Sequence, residues 1–136
     1  MRRYWFVNIG NTVALMLLMS GISAWAESEI VPDEQDIQRA TITMDSYSYS
    51  PKELIVHAGE PVEFTLHNVA TFTPHTFVVD DSAVGLHLRK EVSAGDSQTI
   101  QFTPKQSGSV TFYCDKQLLF FKSHRERGQE GHLEIR

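Results

Sequence analysis

The sequence predicts an all-β domain, a sandwich of two sheets with about seven to eight strands. From Thr41 onward, short runs rich in Val, Ile, Phe, Thr and Tyr are separated by Gly, Pro, Asn and Asp residues, which is typical of strands joined by turns. No segment has the apolar spacing of a long amphipathic helix, and there is no internal repeat. The predicted strands are Thr41–Tyr47, Glu53–His57, Val62–His67, His75–Val79, Leu88–Val92, Gln98–Thr103, Ser109–Cys114 and His132–Arg136.

The order of apolar and polar residues within these strands predicts which side chains face the core. Successive side chains of a strand point to opposite faces, so residues two apart share a face. Val110, Phe112 and Cys114 share an apolar face, which places the cysteine at the end of a core strand, pointing inward. His75 has the same parity as Phe77, so this histidine is also expected on a core-facing register.

The N-terminal residues 1–26 have the features of a secretory signal peptide. Two arginines open the segment, an apolar stretch covers Val13–Met19, and Ala24-Trp25-Ala26 ends it. The apolar run is shorter than the roughly 20 residues of a transmembrane helix, although an uncleaved N-terminal anchor is the alternative. We therefore expect export, with a bacterial periplasm as the compartment and no stable membrane span after cleavage.

Residues 27–40 are polar and acidic, so we expect a flexible N-terminal segment ahead of one domain at 41–136. The formal net charge of the whole chain is −5 at pH 7, and it becomes more negative without the basic N-terminal residues. This balance argues against nucleic acid as a partner, because such proteins present a basic face.

A single cysteine in an exported protein requires an explanation, because small exported domains usually carry cysteines in disulfide pairs. Cys114 could be a metal ligand, a reactive thiol, half of an intermolecular disulfide or a buried apolar residue. A thiolate with two imidazoles is the ligand set of a mononuclear copper site, completed by a weak axial ligand. His124 follows Cys114 on one segment, and Pro74-His75-Thr76-Phe77 supplies a histidine from a distant strand.

At these residues the chain resembles the cupredoxins, the blue copper family that includes plastocyanin, azurin and the stellacyanin-type proteins. The similarity covers roughly 42–136 and implies a Greek-key sandwich with one copper ion. It is carried by Tyr49-Ser50-Pro51 before Leu54-Ile55-Val56, by Ala58-Gly59-Glu60-Pro61-Val62, by Asn68 leading to Pro74-His75-Thr76-Phe77, and by Phe112-Tyr113-Cys114.

The resemblance implies a ligand set and two supporting residues. The equatorial ligands are His75, Cys114 and His124, and Thr76 stands where the family often has a side chain that joins the two ligand loops. Asn68 is expected to support the site in the same way.

The ligand segment departs from many relatives in two respects. Where they have Gly-Met-x-Gly after the last histidine, this chain has Gly128-Gln129-Glu130-Gly131. Stellacyanin-type members use glutamine as the axial ligand, so the resemblance implies this role for Gln129. The loop of nine residues between Cys114 and His124 is longer than in plastocyanin and azurin.

The long loop contains four consecutive apolar residues, Leu118–Phe121. They either pack locally to stiffen the loop or form an exposed surface on which a redox partner, such as a cytochrome or copper enzyme, docks. Lys122, Arg125 and Arg127 add positive charge nearby, which either steers an acidic partner or is simply a solvated face.

Electron transfer is the function that the copper site favours, with copper delivery as the alternative. The predicted mature chain contains only Met44 as a methionine, which argues against an exposed methionine cluster for delivery. The histidines are too scattered to build the further copper centres of an oxidase or nitrite reductase, so we do not expect an enzyme. The four other histidines are expected on the surface, with His132 the nearest to the site: His57, His67, His87 and His132.

Overall fold

The computed structural model describes residues 28–136, so the signal peptide expected at 1–26 lies outside the described residues. In this part of the chain no helix has the length and apolar character needed to cross a membrane. The all-β prediction is confirmed, with one short 3₁₀ helix at Arg125–Arg127. The ten strands are β1 (Ser28–Glu29), β2 (Gln38–Asp45), β3 (Ser48–Ser50), β4 (Glu53–Val56), β5 (Val62–Asn68), β6 (His75–Asp81), β7 (Leu86–Val92), β8 (Ser97–Phe102), β9 (Gly108–Tyr113) and β10 (Glu130–Ile135).

The strands form two sheets. One has six strands in the order β1-β4-β10-β9-β6-β7, and the other has four in the order β3-β2-β5-β8. All eight strands predicted from the sequence are present with small shifts of their ends. The two additional strands, β1 and β3, contain two and three residues, which is too short for an alternating pattern to show.

The core lies between the two sheets and has the composition that the alternation predicted. Phe64 of the smaller sheet meets Phe77 of the larger one edge to face, with ring centroids 6.1 Å apart. Phe77 in turn stacks on Phe112 at 5.1 Å. Cys114, the residue directly after β9, belongs to the same buried cluster, so its thiol continues the aromatic core at the end of this strand.

The segment before Thr41, expected to be a flexible lead-in, contributes to both sheets. β1 pairs in parallel with β4, and Ile30 is buried in the core. The side chain of Gln38 at the start of β2 exchanges two hydrogen bonds with the backbone of His57, at 2.7 and 3.1 Å. The β-domain therefore begins before the boundary drawn at residue 41, because strand pairing with β4 and β5 and the buried side chains of Ile30 and Gln38 hold a segment of mostly polar sequence.

Candidate metal centre

Three side chains that are far apart in the sequence converge at one end of the sandwich. Cys114 Sγ lies 3.5 Å from His124 Nδ1 and 4.0 Å from His75 Nδ1, and the two ring nitrogens are 3.2 Å apart. Metal–imidazole and metal–thiolate bonds of about 2.0–2.3 Å, the range known for zinc, place donors roughly 3–4 Å apart. The three donor atoms therefore already have the separations that a single metal ion needs.

Backbone hydrogen bonds fix the positions of these three ligands. His75 opens β6 and Cys114 follows β9, while His124 immediately precedes the 3₁₀ helix. The His124 N–H donates to the Lys116 carbonyl at 2.8 Å, which closes the long loop. Gln129 donates its N–H to the His124 carbonyl at 3.0 Å and accepts from the Cys114 N–H at 3.1 Å, so its backbone joins the two ligands of this segment.

Burial prepares both imidazoles to act as ligands. His75 is fully buried and His124 retains only 8% exposure. Burial lowers the pKa of His75, and the neighbouring His124 lowers it further. Burial also lowers the pKa of His124, with smaller contributions from the positive Arg127 and Lys116. Both rings are therefore held in the neutral form, which is the form that binds a metal.

Gln129 places its side chain against the same cluster. The residue is fully buried, and its Nε2 donates to the carbonyl oxygens of Asp45 at 3.4 Å and Ser48 at 3.3 Å. These contacts distinguish the two ends of the amide, because only the nitrogen can donate. Gln129 Oε1 is buried without a hydrogen-bond partner among residues 28–136. The amide also lies close to both imidazoles. It raises the pKa of His75 and of His124, which partly offsets the lowering caused by burial.

Comparison with known proteins assigns the chain to a protein family. The model of the Cupredoxin-like domain family matches residues 12–128. The chain belongs to this family. A search of curated proteins found no match.

Solved structures share the cupredoxin fold at low sequence identity. The metal-binding domain of the Cu(I)-exporting P-type ATPase CopA of Streptococcus pneumoniae is 17% identical, with a TM-score of 0.64, and the match covers 82% of this chain and 97% of that domain. Auracyanin from Roseiflexus castenholzii is 21% identical, with a TM-score of 0.59 and coverage of 72% and 96%. A multicopper oxidase from Campylobacter jejuni is 16% identical, with a TM-score of 0.61 and coverage of 82% and 28%.

The donor set of this cupredoxin fits copper. His75, Cys114 and His124 form a buried group of possible metal ligands, and a thiolate with two imidazoles is the equatorial set of a type 1 copper centre. The unpartnered amide oxygen of Gln129 is the type of weak axial donor that such a centre accepts. A buried polar atom without a partner is costly, and a bound ion would remove that cost.

A group of polar contacts surrounds the thiol of Cys114. The Thr76 backbone N–H donates to Sγ at 3.3 Å, and the Thr76 hydroxyl lies 3.4 Å from the same atom. That hydroxyl also contacts Asp115 Oδ1 at 2.7 Å, and Asp115 forms an ion pair with Arg89. The resemblance placed Thr76 between the two ligand loops, and in the structure its hydroxyl lies between Cys114 and Asp115. Asp115 and Arg89 were not singled out, because an exposed charged residue, whether on β7 or in the loop after β9, gives no signal of its own.

Tyr49 supports the backbone beside His75. Its hydroxyl donates to the Thr76 carbonyl, and its ring meets Phe112 edge to face at 5.2 Å. Burial raises the pKa of Tyr49, so the phenol stays protonated as a donor. In the sequence, Tyr49 was noted only as part of the Tyr49-Ser50-Pro51 motif that resembles the cupredoxins.

Asn68 contacts the backbone on both sides of the loop that leads into His75. Its Nδ2 donates to the carbonyls of Thr73 at 2.9 Å and Val92 at 3.0 Å, and its Oδ1 accepts from the Ala70 N–H at 3.0 Å. Val92 pairs with His75 across β6 and β7. Asn68 therefore holds the incoming loop in place, through side-chain hydrogen bonds to backbone atoms.

The surface beside His124 is apolar and positively charged. Leu118, Leu119 and Phe120 are 67–85% exposed and Phe121 is 47% exposed, and the rings of Phe120 and Phe121 pack on each other at 4.8 Å. Next to them lies a half-open groove of about 610 Å³. Tyr47, Phe72, Thr73, Pro74, Lys116, Gln117, Leu118, Phe121, Lys122, His124 and Arg127 line this groove.

The remaining histidines lie outside the metal group. His87 and His132 are exposed, and His57 and His67 are half-buried. His132 contacts the Thr111 hydroxyl on β9. Its distance along the chain from His124 is short, but the alternation of β10 turns it to the outer face.

Proposed function

We propose that this cupredoxin carries single electrons between redox partners, with one copper ion bound by His75, Cys114 and His124 and by Gln129 as the axial ligand. Copper supplies the change between Cu(I) and Cu(II). The observation that carries the proposal is that the ligands converge in a buried site already fixed by hydrogen bonds. A site held in one geometry needs little rearrangement when an electron arrives or leaves.

The side chain of Gln129 sets one property of this site. An amide oxygen is a harder donor than the thioether of methionine, and hard donors favour Cu(II). Because Asp45 and Ser48 hold the amide nitrogen, the oxygen is directed to the ligand cluster. We therefore expect a lower reduction potential than that of the same site with methionine.

Copper delivery is the alternative function. A delivery site must release its ion, and exposed, exchangeable ligands favour release. Here His75 and Cys114 are fully buried, and Met44, the one methionine in residues 28–136, is in the core. In the same residues a single group of three or more metal-binding side chains is found, which favours a relay without substrate chemistry over an enzyme.

Voltammetry combined with a copper-retention assay separates the two functions. An electron carrier gives a reversible one-electron wave at the copper site and loses copper slowly to excess Cu(I) chelator. A delivery protein loses Cu(I) to the chelator within the time of mixing and gives no stable wave. Cys114→Ser removes the thiolate and should abolish the wave, whereas Ser107→Ala, at an exposed residue, should retain it.

We propose that electrons pass through His124 to acidic redox proteins that dock on Leu118–Phe121 and the adjoining groove. His124 lines the groove, so a molecule seated there approaches a copper ligand directly. In the described residues, neither Lys122 nor Arg127 has a carboxylate at ion-pair distance, and Arg127 packs over the Tyr47 ring at 4.7 Å. These two positive charges are therefore free to attract an anionic partner to a protein that is negative overall.

The hexacyanoferrate anion probes this surface charge. Since the net charge is negative, the protein as a whole should repel the anion, and salt would then increase the rate of electron transfer. A local positive surface at His124 predicts the reverse, a rate that decreases with salt. Lys122→Glu with Arg127→Glu should reverse the salt dependence, and Lys105→Glu on the β8–β9 loop should not. A rate that increases with salt in the unmodified protein would contradict steering at this surface.

The compartment remains a separate proposal, which rests on the sequence of residues 1–26. We propose export to the periplasm through this segment. A reporter enzyme that is active only after export, fused behind residues 1–40, should be active, and replacing Arg2 and Arg3 with Glu should reduce that activity. An inactive fusion would place the protein elsewhere.

A further inference from the structure

The hydroxyl of Thr76 has more acceptors than it has protons. Its oxygen accepts from the Asp115 N–H at 3.0 Å, which leaves its single proton for one of two neighbours. Asp115 Oδ1 is 2.7 Å away and Cys114 Sγ is 3.4 Å away. Because a bond from a hydroxyl to a carboxylate is short and charge-assisted, the proton is donated to Asp115.

Arg89 on β7 holds the carboxylate in this position. Its Nε donates to Asp115 Oδ2 at 2.8 Å and its Nη2 donates to Oδ1 at 3.2 Å. A two-pronged contact of this kind fixes the plane of a carboxylate as well as its place. Oδ1 therefore remains directed at the hydroxyl of Thr76, which is itself fully buried.

Cys114 Sγ therefore accepts only one hydrogen bond, although two donors of Thr76 lie within reach. The Thr76 backbone N–H donates to Cys114 Sγ at 3.3 Å, and the hydroxyl does not. Hydrogen bonds to the sulfur of a type 1 centre tune its potential. A donor to the sulfur stabilises negative charge on it, weakens its donation to Cu(II) and so raises the potential.

We infer that Asp115, positioned by Arg89, keeps the Thr76 hydroxyl away from the sulfur of Cys114 and thereby lowers the reduction potential of the site. This inference rests on the proposed copper function. Asp115 and Arg89 act as positioning residues, since neither touches the ion that the ligands would hold.

A double-mutant cycle separates this effect from simple loss of charge. Asp115→Ala removes a negative charge, which raises the potential by itself, and it also releases the Thr76 proton to the sulfur. In a Thr76→Val background only the charge effect remains. A net hydrogen-bond contribution of about 1 kcal/mol corresponds to a fivefold change in the Cu(II)/Cu(I) equilibrium. Asp115→Ala should therefore raise the potential by about 40 mV more in the Thr76 protein than in the Thr76→Val protein, since a one-electron potential changes by about 59 mV for each tenfold change in the equilibrium constant.

Conservative variants and a charge control complete the test. Thr76→Ser keeps a hydroxyl and should restore the larger effect of Asp115→Ala. Glu91→Ala removes a different carboxylate, one on β7 that pairs with Lys116 at 2.8 Å, and should shift the potential equally with Thr or Val at position 76. Equal shifts from Asp115→Ala in both backgrounds would overturn the inference.

The copper-free protein provides a readout that does not depend on the metal. In its proton NMR spectrum the buried Thr76 hydroxyl should give a downfield signal that moves upfield in Asp115→Ala. An unchanged signal would show that the proton was never donated to Asp115. If the copper-loaded protein lacked a type 1 spectrum, the proposed function would fail, while this measurement would still decide whether the hydrogen bond exists.

Discussion

Gln129 Nε2 lies 3.3 Å from the carbonyl oxygen of Ser48, a contact between the ligand segment and the first residue of β3. Because Ser48 and Asp45, the last residue of β2, accept from the nitrogen end of the amide, the oxygen end is left on the side of the two histidines. Gly128 makes the arrangement possible. Its φ of 98° is in the left-handed region that favours glycine, and it turns the chain from the 3₁₀ helix toward Gln129.

Replacing Gln129 with methionine should raise the reduction potential. A thioether is a softer and weaker axial donor than an amide oxygen, so Cu(I) becomes relatively more stable. We expect the Cu(II)/Cu(I) equilibrium to change by at least tenfold, about 60 mV, measured by voltammetry. Gln101→Met changes an exposed glutamine on β8 and should leave the potential unaltered, and an unchanged potential in Gln129→Met would remove Gln129 from the ligand set.

Removing the hydroxyl of Tyr49 should destabilise the protein. Tyr49→Phe deletes the donor to the Thr76 carbonyl and keeps the ring against Phe112. The loss of one buried hydrogen bond should lower the free energy of unfolding by about 1 kcal/mol, measured by urea denaturation of the copper-free protein. The control is Tyr113→Phe on a half-buried ring that packs under Arg125, and a loss as large in this control would mean that the Thr76 contact is not the cause.

A side chain at Gly131 should not be tolerated. A Cβ there would stand 2.3 Å from Phe112 Cζ and 2.5 Å from the Lys52 carbonyl oxygen, one a core ring and the other backbone. Gly131→Ala should therefore lower the free energy of unfolding by about 3 kcal/mol. Ser107→Ala, on an exposed turn, should stay within about 0.5 kcal/mol of the unmodified protein, and a comparably small loss at Gly131 would contradict the packing.

The copper-free protein should lose stability as the pH falls below neutrality. The pKa values of His75 and His124 lie below the ordinary 6.5 because both rings are buried. Below pH 6.5 the unfolded chain binds protons at these histidines before the folded protein does, and this favours unfolding. The urea midpoint should therefore be lower at about pH 5.5 than at about pH 7.5. The double variant His75→Gln with His124→Gln should show a smaller difference, and an identical one would assign the pH dependence to other groups.

The sequence predicted the elements that depend on local patterns. Alternation identified eight strands and placed Cys114 and His75 on core-facing registers, because period-two burial is visible along a single strand. It did not show β1, whose two residues are held by pairing with β4. The sequence also did not show that the segment before Thr41 packs into the domain. Gln38 is buried through its hydrogen bonds with the His57 backbone, and a polar side chain gives no sign of burial in the sequence.

The supporting residues of the site could be predicted less well than its ligands. Cysteine and histidine carry metal chemistry in their side chains, so their spacing is informative. Arg89 and Asp115 are ordinary charged residues whose role comes from a contact between β7 and the loop after β9, 26 positions apart in the chain. Tyr47 lines the groove and meets the His124 ring edge to face at 5.0 Å. Its backbone has a φ of 60°, a conformation that no pattern in the sequence predicts.

Titration of the copper-free protein with Cu(II) is the decisive experiment for the proposal that His75, Cys114 and His124 hold one copper ion. We expect an intense thiolate-to-copper charge-transfer band that saturates at one equivalent, with narrow copper hyperfine splitting in the EPR spectrum. Cys114→Ser should abolish the band, and His132→Gln should preserve it. A pale product without charge transfer, or a band that survives in Cys114→Ser, would contradict the assignment.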